Sequence, residues 1–145
     1  MLSRIRKIFT EYREIKYLAY HDALTGLFNR NWLYKNIDSI NHKYVYFIDI
    51  NDLKIQNKKG HTYGDRYLQY IILKLGLNLP EEDILVRYAG DEFILFSNTF
   101  NVVQTNKQYS IGYCDLSLHT IEECINIADS TMIKAKEKFK KKFNS

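Results

Sequence analysis

No stretch of the chain stays apolar for the roughly 18 residues that a membrane-crossing helix needs, so no helical span is expected. The N-terminus alternates basic and apolar residues and offers no signal-peptide core. Cysteine is scarce as well. Cys114 and Cys124 have no metal-ligand spacing, which leaves out a thiolate metal site; they read as reduced packing residues, one in a strand and one in a helix. These absences give the expectation of a cytoplasmic protein. Strong charge of either sign is missing too: a net charge of +4 permits an anionic small molecule as ligand without requiring a nucleic-acid partner. Neither an internal repeat nor a linker interrupts the chain.

Apolar material, by contrast, is plentiful. With 145 residues, 46% of them apolar and including 12 Tyr and 8 Phe, the chain suits one domain with a full core. Residues 1–20 place Leu2, Ile5, Phe9, Tyr12 and Ala19 on one helical stripe, with Arg4, Lys7, Glu11 and Glu14 off it. Such an N-terminal helix serves equally well to pack on the compact domain expected over 21–145 or to dimerise as a stalk; a basic membrane-surface helix fits less well. Around Thr25-Gly26-Leu27-Phe28-Asn29-Arg30 the periodicity breaks, and a second helix is expected from about Arg30 to Ser39.

The run Tyr44 to Ile50, YVYFIDI, is β-branched and aromatic and ends in an acid, as a central buried strand does. Leu68, Ile71, Ile72, Leu75 and Leu79 then repeat at helical spacing, and Pro80 marks the stop. Ile84 to Tyr88 and Phe93 to Ser97 flank Ala89-Gly90-Asp91-Glu92, which predicts a β-hairpin with acids at its tip. Residues 100–114 suggest two more strands joined near Asn106. Thr120-Ile121-Glu122-Glu123 is a capping box opening a last helix, with Ile121, Ile125, Ala128, Met132, Ala135 and Phe139 inward.

Asp49 ends one strand and Asp91 sits at a hairpin tip. If those strands are neighbours, the two carboxylates converge at one end of the sheet, with Glu92 beside them. Taken singly, each acid reads as solvated. Together they form the hard oxygen set that Mg2+ takes, one or two carboxylates with water and substrate phosphates completing the shell.

The segments YFIDINDLK, GHTYGD and RYAGDEFIL, in that order, resemble the GGDEF, or diguanylate cyclase, family. His21 to Arg30 is similar to its opening motif, and Tyr109-Ser110-Ile111-Gly112 and Ala128-Asp129 to Lys136 are similar to its closing strand and helix. The resemblance, which runs from about Asp22 to Lys140, implies an α/β (α+β) fold of the palm-like nucleotidyl cyclase kind: an antiparallel-rich central sheet with packed helices. It implies catalysis by a homodimer whose two domains each hold one GTP, with Mg2+, or Mn2+ in its stead, as cofactor. On that pattern Asp49, Asp91, Glu92 and the backbone carbonyl of Ile50 hold metal, and Glu92 alternatively assists deprotonation of the 3'-hydroxyl. Lys54, Lys136 and Lys140 contact the triphosphate, and Asn57 and Asp65 read guanine; taken alone, Asp65 reads equally as a helix N-cap after Gly64. His21 and His61 read as structural.

The sequence also departs from the family. Ala89 stands where the first glycine of the signature is usual, Asn51 replaces a common second Asp, and the loop Asn57 to His61 is one residue short with Lys58 in place of an Asp. Between Phe96 and Ser110 there is no room for the helix that the family places before its closing strand. The product-inhibition motif falls on Pro80-Glu81-Glu82-Asp83 and lacks its arginine. No sensory domain is expected ahead of the catalytic one, so regulation would come from expression, oligomerisation or an unidentified protein partner. Three readings stay open: an active diguanylate cyclase, an idle module that binds GTP or a cyclic dinucleotide and controls a partner, and a cyclase making another product.

Overall fold

A five-stranded sheet with helices on both faces forms the body of the protein, for which a computed structural model describes residues 1–143. In chain order the elements are α1 (Leu2–Tyr20), β1 (Phe28–Asn29), α2 (Arg30–Asn36), a 3-10 turn (Ile37–Ser39), β2 (Tyr44–Ile50), α3 (Leu53–Asn57), α4 (His61–Gly76), β3 (Ile84–Ala89), β4 (Glu92–Ser97), β5 (Tyr109–Asp115) and α5 (Ile121–Phe143). The strand order is β1-β3-β4-β2-β5, antiparallel except for the short β1–β3 pair. It is the mixed α/β, antiparallel-rich architecture that the family resemblance implies.

Strand alternation sorts the core into two layers. Tyr46, Ile48 and Ile50 point to one face with Phe93 and Leu95, where Leu68, Ile71, Ile72 and Leu75 of α4 cover them. Val45 and Phe47 point to the other with Ile94 and Phe96, under Cys124, Ile125, Ala128 and Met132 of α5 and Leu33 of α2. This two-sided burial explains the continuous apolarity of β2. Each large side chain so buried stabilises the fold by about 1.5–3 kcal/mol. The capping box at the start of α5 is in place: Thr120 Oγ1 accepts from the Glu123 N–H, and Glu123 accepts from the Thr120 N–H. Leu79 lies past the end of α4, whose last residue is Gly76.

Three expectations need correction. Residues 100–108 form no strand and wrap the outer edge of β5: Asn106 Oδ1 accepts from the backbone N–H of Gln108 and Tyr109, and Thr105 Oγ1 accepts from that of Ile111. Side chains have replaced a strand partner, which blunts the edge. Cys114 and Cys124, expected reduced, are paired as a disulfide with their Cα atoms 5.3 Å apart, because β5 turns straight back into α5. Asp65, weighed as an N-cap, lies inside α4, whose N-cap is Gly60 at φ 126°.

Gly112 fixes how closely α5 approaches the sheet. A β-carbon there would overlap the Ala128 carbonyl oxygen and the Met132 backbone nitrogen, neither of which can rotate away. Gly112→Ala should therefore destabilise the protein by about 2–3 kcal/mol, read as a lower denaturant midpoint at unchanged slope. A midpoint equal to that of the unmodified protein would show that α5 is not seated by this contact.

Candidate active site

The antiparallel pairing of β2 with β4 and β5 sets Asp49 opposite Glu92 on one side and Ser110 on the other. Asp91 occupies the β3–β4 tip and its carbonyl accepts from the Ile50 N–H at 2.8 Å. The strands are thus neighbours, and the two expected metal ligands, Asp49 and Asp91, meet at one end of the sheet. Ile50 itself is a core side chain, 1% exposed, so only its backbone is available to a ligand. A register shift between Arg87 and Ala89 bends β3 at the tip. Among the described residues the only non-glycine positions at positive φ are Asp52 and Asn101, so Ala89 sits without the strain a left-handed position would impose.

Asp49 shares the α5 side of the sheet with Glu92, and Lys136 Nζ donates to its Oδ1 at 2.8 Å. Burial pushes the Asp49 carboxyl up, against the pull of Lys136, and Asp91 adds to the rise. Burial also pushes Glu92 up, reinforced by Asp91, Asp129 and Asp49. Carboxylates that raise one another repel, and a cation among them relieves that repulsion. Among the described residues no three acids, histidines or cysteines are gathered into a metal cage. A divalent cation arriving with phosphates nevertheless suits this donor set, because Mg2+ takes one or two carboxylates and fills its shell with phosphate oxygens and water.

Two clefts flank the acids. One, of about 260 Å³, brings together Lys54, Asn57, Asp65 and Asp91 with Leu68 and Arg87. The shortened loop after Asn57 therefore leaves Asn57 and Asp65 lining one space. Gly64 makes that possible: a β-carbon there would overlap Asn57 Oδ1 and lie 2.8 Å from its Cγ. The second cleft, of about 290 Å³, holds Lys136 and Lys140 together with Lys107, Asn51, Ser110 and Phe139. Phe139, expected to face the core, lines this cleft. Lys107 escaped the sequence reading because it lies in the stretch taken for a strand, and no pattern marks it out.

The family described as Diguanylate cyclase, GGDEF domain matches residues 19–107. The chain belongs to the GGDEF family. It is 33% identical over 88 residues to diguanylate cyclase DgcP of Escherichia coli (strain K12), which is 54% of this chain and 26% of that one. To cyclic di-GMP phosphodiesterase PdeR of the same strain it is 37% identical over 93 residues, 59% of this chain and 14% of that one. The chain thus spans about a quarter or less of the length of these relatives. The crystal structure of diguanylate cyclase SiaD in complex with its activator SiaC from Pseudomonas aeruginosa is similar at TM-score 0.72 and 25% identity, covering 94% of this chain and 68% of that one.

One feature of this GGDEF domain was not read from the sequence: a network that ties its opening turn to the signature hairpin. Arg87 donates to both carboxylate oxygens of Asp22, at 3.0 and 2.9 Å, and to the Gly90 carbonyl through Nε and Nη2. Asp22 also accepts from the backbone N–H and hydroxyl of Thr25. An arginine on a strand beside apolar residues is the one signal that could have found it. Burial works to raise the Asp22 carboxyl, but the bonds from Thr25 and Arg87 outweigh it and hold the group below the ordinary range.

Asp22→Asn should lower stability by about 2–3 kcal/mol at pH 7, since Arg87 is left without its anion. The folded carboxyl titrates below the unfolded one, so its contribution is present above about pH 4 and drains away as pH falls through the lowered value. Denaturation curves at pH 7 and pH 3 should show the gap between unmodified and D22N protein narrowing in acid. A gap independent of pH would remove the ion pair from the account.

Proposed function

We propose that this GGDEF domain is a diguanylate cyclase, joining two GTP molecules into cyclic di-GMP with release of two pyrophosphates. The observation that carries the reading is the position of Asp49, Asp91 and Glu92 between two clefts, one with guanine-complementary groups and one with lysines. Each chain binds one GTP, so catalysis needs a homodimer. Asp65 accepts from guanine N1 and N2 while Asn57 meets the same edge, and Lys54 contacts phosphate from the start of α3. Lys136 and Lys140 neutralise the triphosphate, with Lys136 trading Asp49 for phosphate as the nucleotide enters.

Mg2+, or Mn2+, held by Asp49, Asp91, Glu92 and the Ile50 carbonyl, supplies charge neutralisation at the α-phosphate when bound. Glu92, its carboxyl raised by burial and by its acidic neighbours, is suited to accept the 3'-hydroxyl proton. The 3'-oxygen of one nucleotide then bonds to the α-phosphorus of the other, the bond to pyrophosphate breaks, and the lysines take up the departing charge. A second such step closes the ring. We place the protein in the cytoplasm, where GTP is found; among the described residues no helix is long and apolar enough to cross a membrane.

The Asp49–Lys136 pair and the likeness to PdeR favour one second reading, a non-catalytic module that binds GTP or a cyclic dinucleotide and regulates a partner. Incubating the purified protein with GTP and Mg2+ and weighing the product separates the two: cyclic di-GMP supports the cyclase, and tight GTP binding without turnover supports the module.

Guanine should be preferred to adenine, which would turn a lone pair toward Asp65. Leaving a polar group so unpaired costs about 1–3 kcal/mol, so discrimination of about tenfold or more is expected, and Asp65→Ser should relax it. Equal use of ATP and GTP by the unmodified protein, measured by product formation from each, would sink the base assignment.

A further inference from the structure

We propose that Lys107 is a further polyphosphate-binding lysine, the third in the cleft of Lys136 and Lys140, presented there by the side-chain amide of Asn51. This rests on the phosphate role of that cleft in the cyclase reading and adds to it a residue from the 100–108 segment.

Asn51 follows β2 and is held on all sides. Its backbone N–H donates to the Gln108 carbonyl at 2.8 Å, and its Oδ1 accepts from Ser110 Oγ at 3.0 Å. With the oxygen so engaged, Nδ2 points at the loop and donates to the carbonyls of Asn106 and Lys107, both at 3.3 Å. An aspartate could keep the Ser110 bond but would set a carboxylate oxygen against two carbonyls. The amide is thus matched to the irregular course of residues 100–108.

The consequence is electrostatic. Three lysines and one acid, Asp52, line the cleft, so it is net cationic. Of the three, Lys136 is already paired with Asp49, whereas Lys107 makes no salt bridge among the described residues. Lys107 is exposed and its stem is flexible, which suits a point charge that follows a terminal phosphate or a departing pyrophosphate. Its carbonyl is held by Asn51, and its ammonium ends an exposed, flexible stem.

Inorganic tripolyphosphate in metal-free buffer, titrated into the full chain by calorimetry, tests this without any carboxylate-held cation. Guanosine, which carries no phosphate, serves as the control for the base cleft. Lys107→Ala should weaken tripolyphosphate about threefold to tenfold, the range for an exposed charge on an anion, and leave guanosine unchanged. Lys107→Arg should retain binding. Asn51→Asp should weaken it similarly, and in that background Lys107→Ala should add less than about twofold, because the two act as a unit. Unchanged affinity in Lys107→Ala, fully additive effects, or a parallel loss of guanosine binding would each overturn the assignment while leaving the cyclase reading intact. Failure of the unmodified protein to bind tripolyphosphate at all would overturn both the lysine assignment and the phosphate role of the cleft.

Discussion

Asp49→Asn is expected to lower GTP turnover by about a thousandfold or more while the protein stays folded. The argument begins with β2, whose register sets the Asp49 carboxylate opposite Glu92 and beneath α5. A divalent cation on phosphate supplies several kcal/mol of charge stabilisation, and a neutral amide in place of a carboxylate removes much of its hold. The substitution keeps volume and leaves an oxygen to accept from Lys136, now donating to Asp49 Oδ1 at 2.8 Å. Burial disfavours the charged carboxyl, so neutralising it relieves the fold and also relieves Glu92, which Asp49 pushes up. The salt bridge to Lys136 opposes that gain, and a thermal midpoint within a few degrees of the unmodified protein is expected. Asp91→Asn should behave alike, since the bond from the Ile50 N–H goes to its backbone carbonyl and survives. Product analysis beside a melting curve checks both quantities. A folded Asn variant at either position with full activity would end the enzyme reading.

Much of this site was legible in the sequence because the elements that carry it have strong local signals. The apolar run of β2 fixes a buried strand, and the acid at its end must then emerge at the sheet's rim. The hairpin follows from two short apolar runs around Gly90-Asp91, and the capping box fixes the start of α5, whereas Lys136 and Lys140 on it were singled out by the family resemblance alone. What sequence could not show are contacts made between segments by single side chains. Asn106 and Thr105 replace a strand by bonding to the edge of β5, a choice that depends on that edge being free. Cys114 and Cys124 look like isolated packing residues until β5 folds back on α5. Arg87 reads as a strand-face charge until Asp22, far earlier in the chain, comes to meet it. The proximity of Asn57 to Gly64 likewise depends on how α3 turns into α4.

Removal of α1 is expected to cut activity about tenfold to a hundredfold at micromolar protein and far less at high concentration. The structure leaves the helix bare: none of its residues is buried, and it touches the domain near its C-terminal end, where Asn29 donates to the Ala19 carbonyl. Of the roles the sequence allows, packing along its own domain is the one that these exposed residues do not support. Ile5, Ile8, Tyr12 and Ile15 are 42%, 63%, 61% and 66% exposed and follow the alternating three and four spacing of a coiled-coil seam that Ala19 continues. On that seam Glu11 takes the g position and Lys16 the e position of the next heptad. In a parallel pair Glu11 therefore faces Lys16 of the partner subunit, an opposite-charge match that an in-register dimer of this chain would make twice. Such a stalk would hold two domains at an effective concentration near millimolar, against micromolar for free ones, and the proposed reaction needs two nucleotide sites together. Deleting residues 1–18 tests the helix as a whole. Ile8→Glu with Ile15→Glu tests the seam alone, since both side chains are exposed and their loss leaves the Asn29–Ala19 bond in place. Specific activity measured across protein concentration should fall steeply on dilution for both variants and shallowly for the unmodified chain. Identical dilution profiles for all three would take the helix out of dimerisation and leave the two domains to meet through their sites alone.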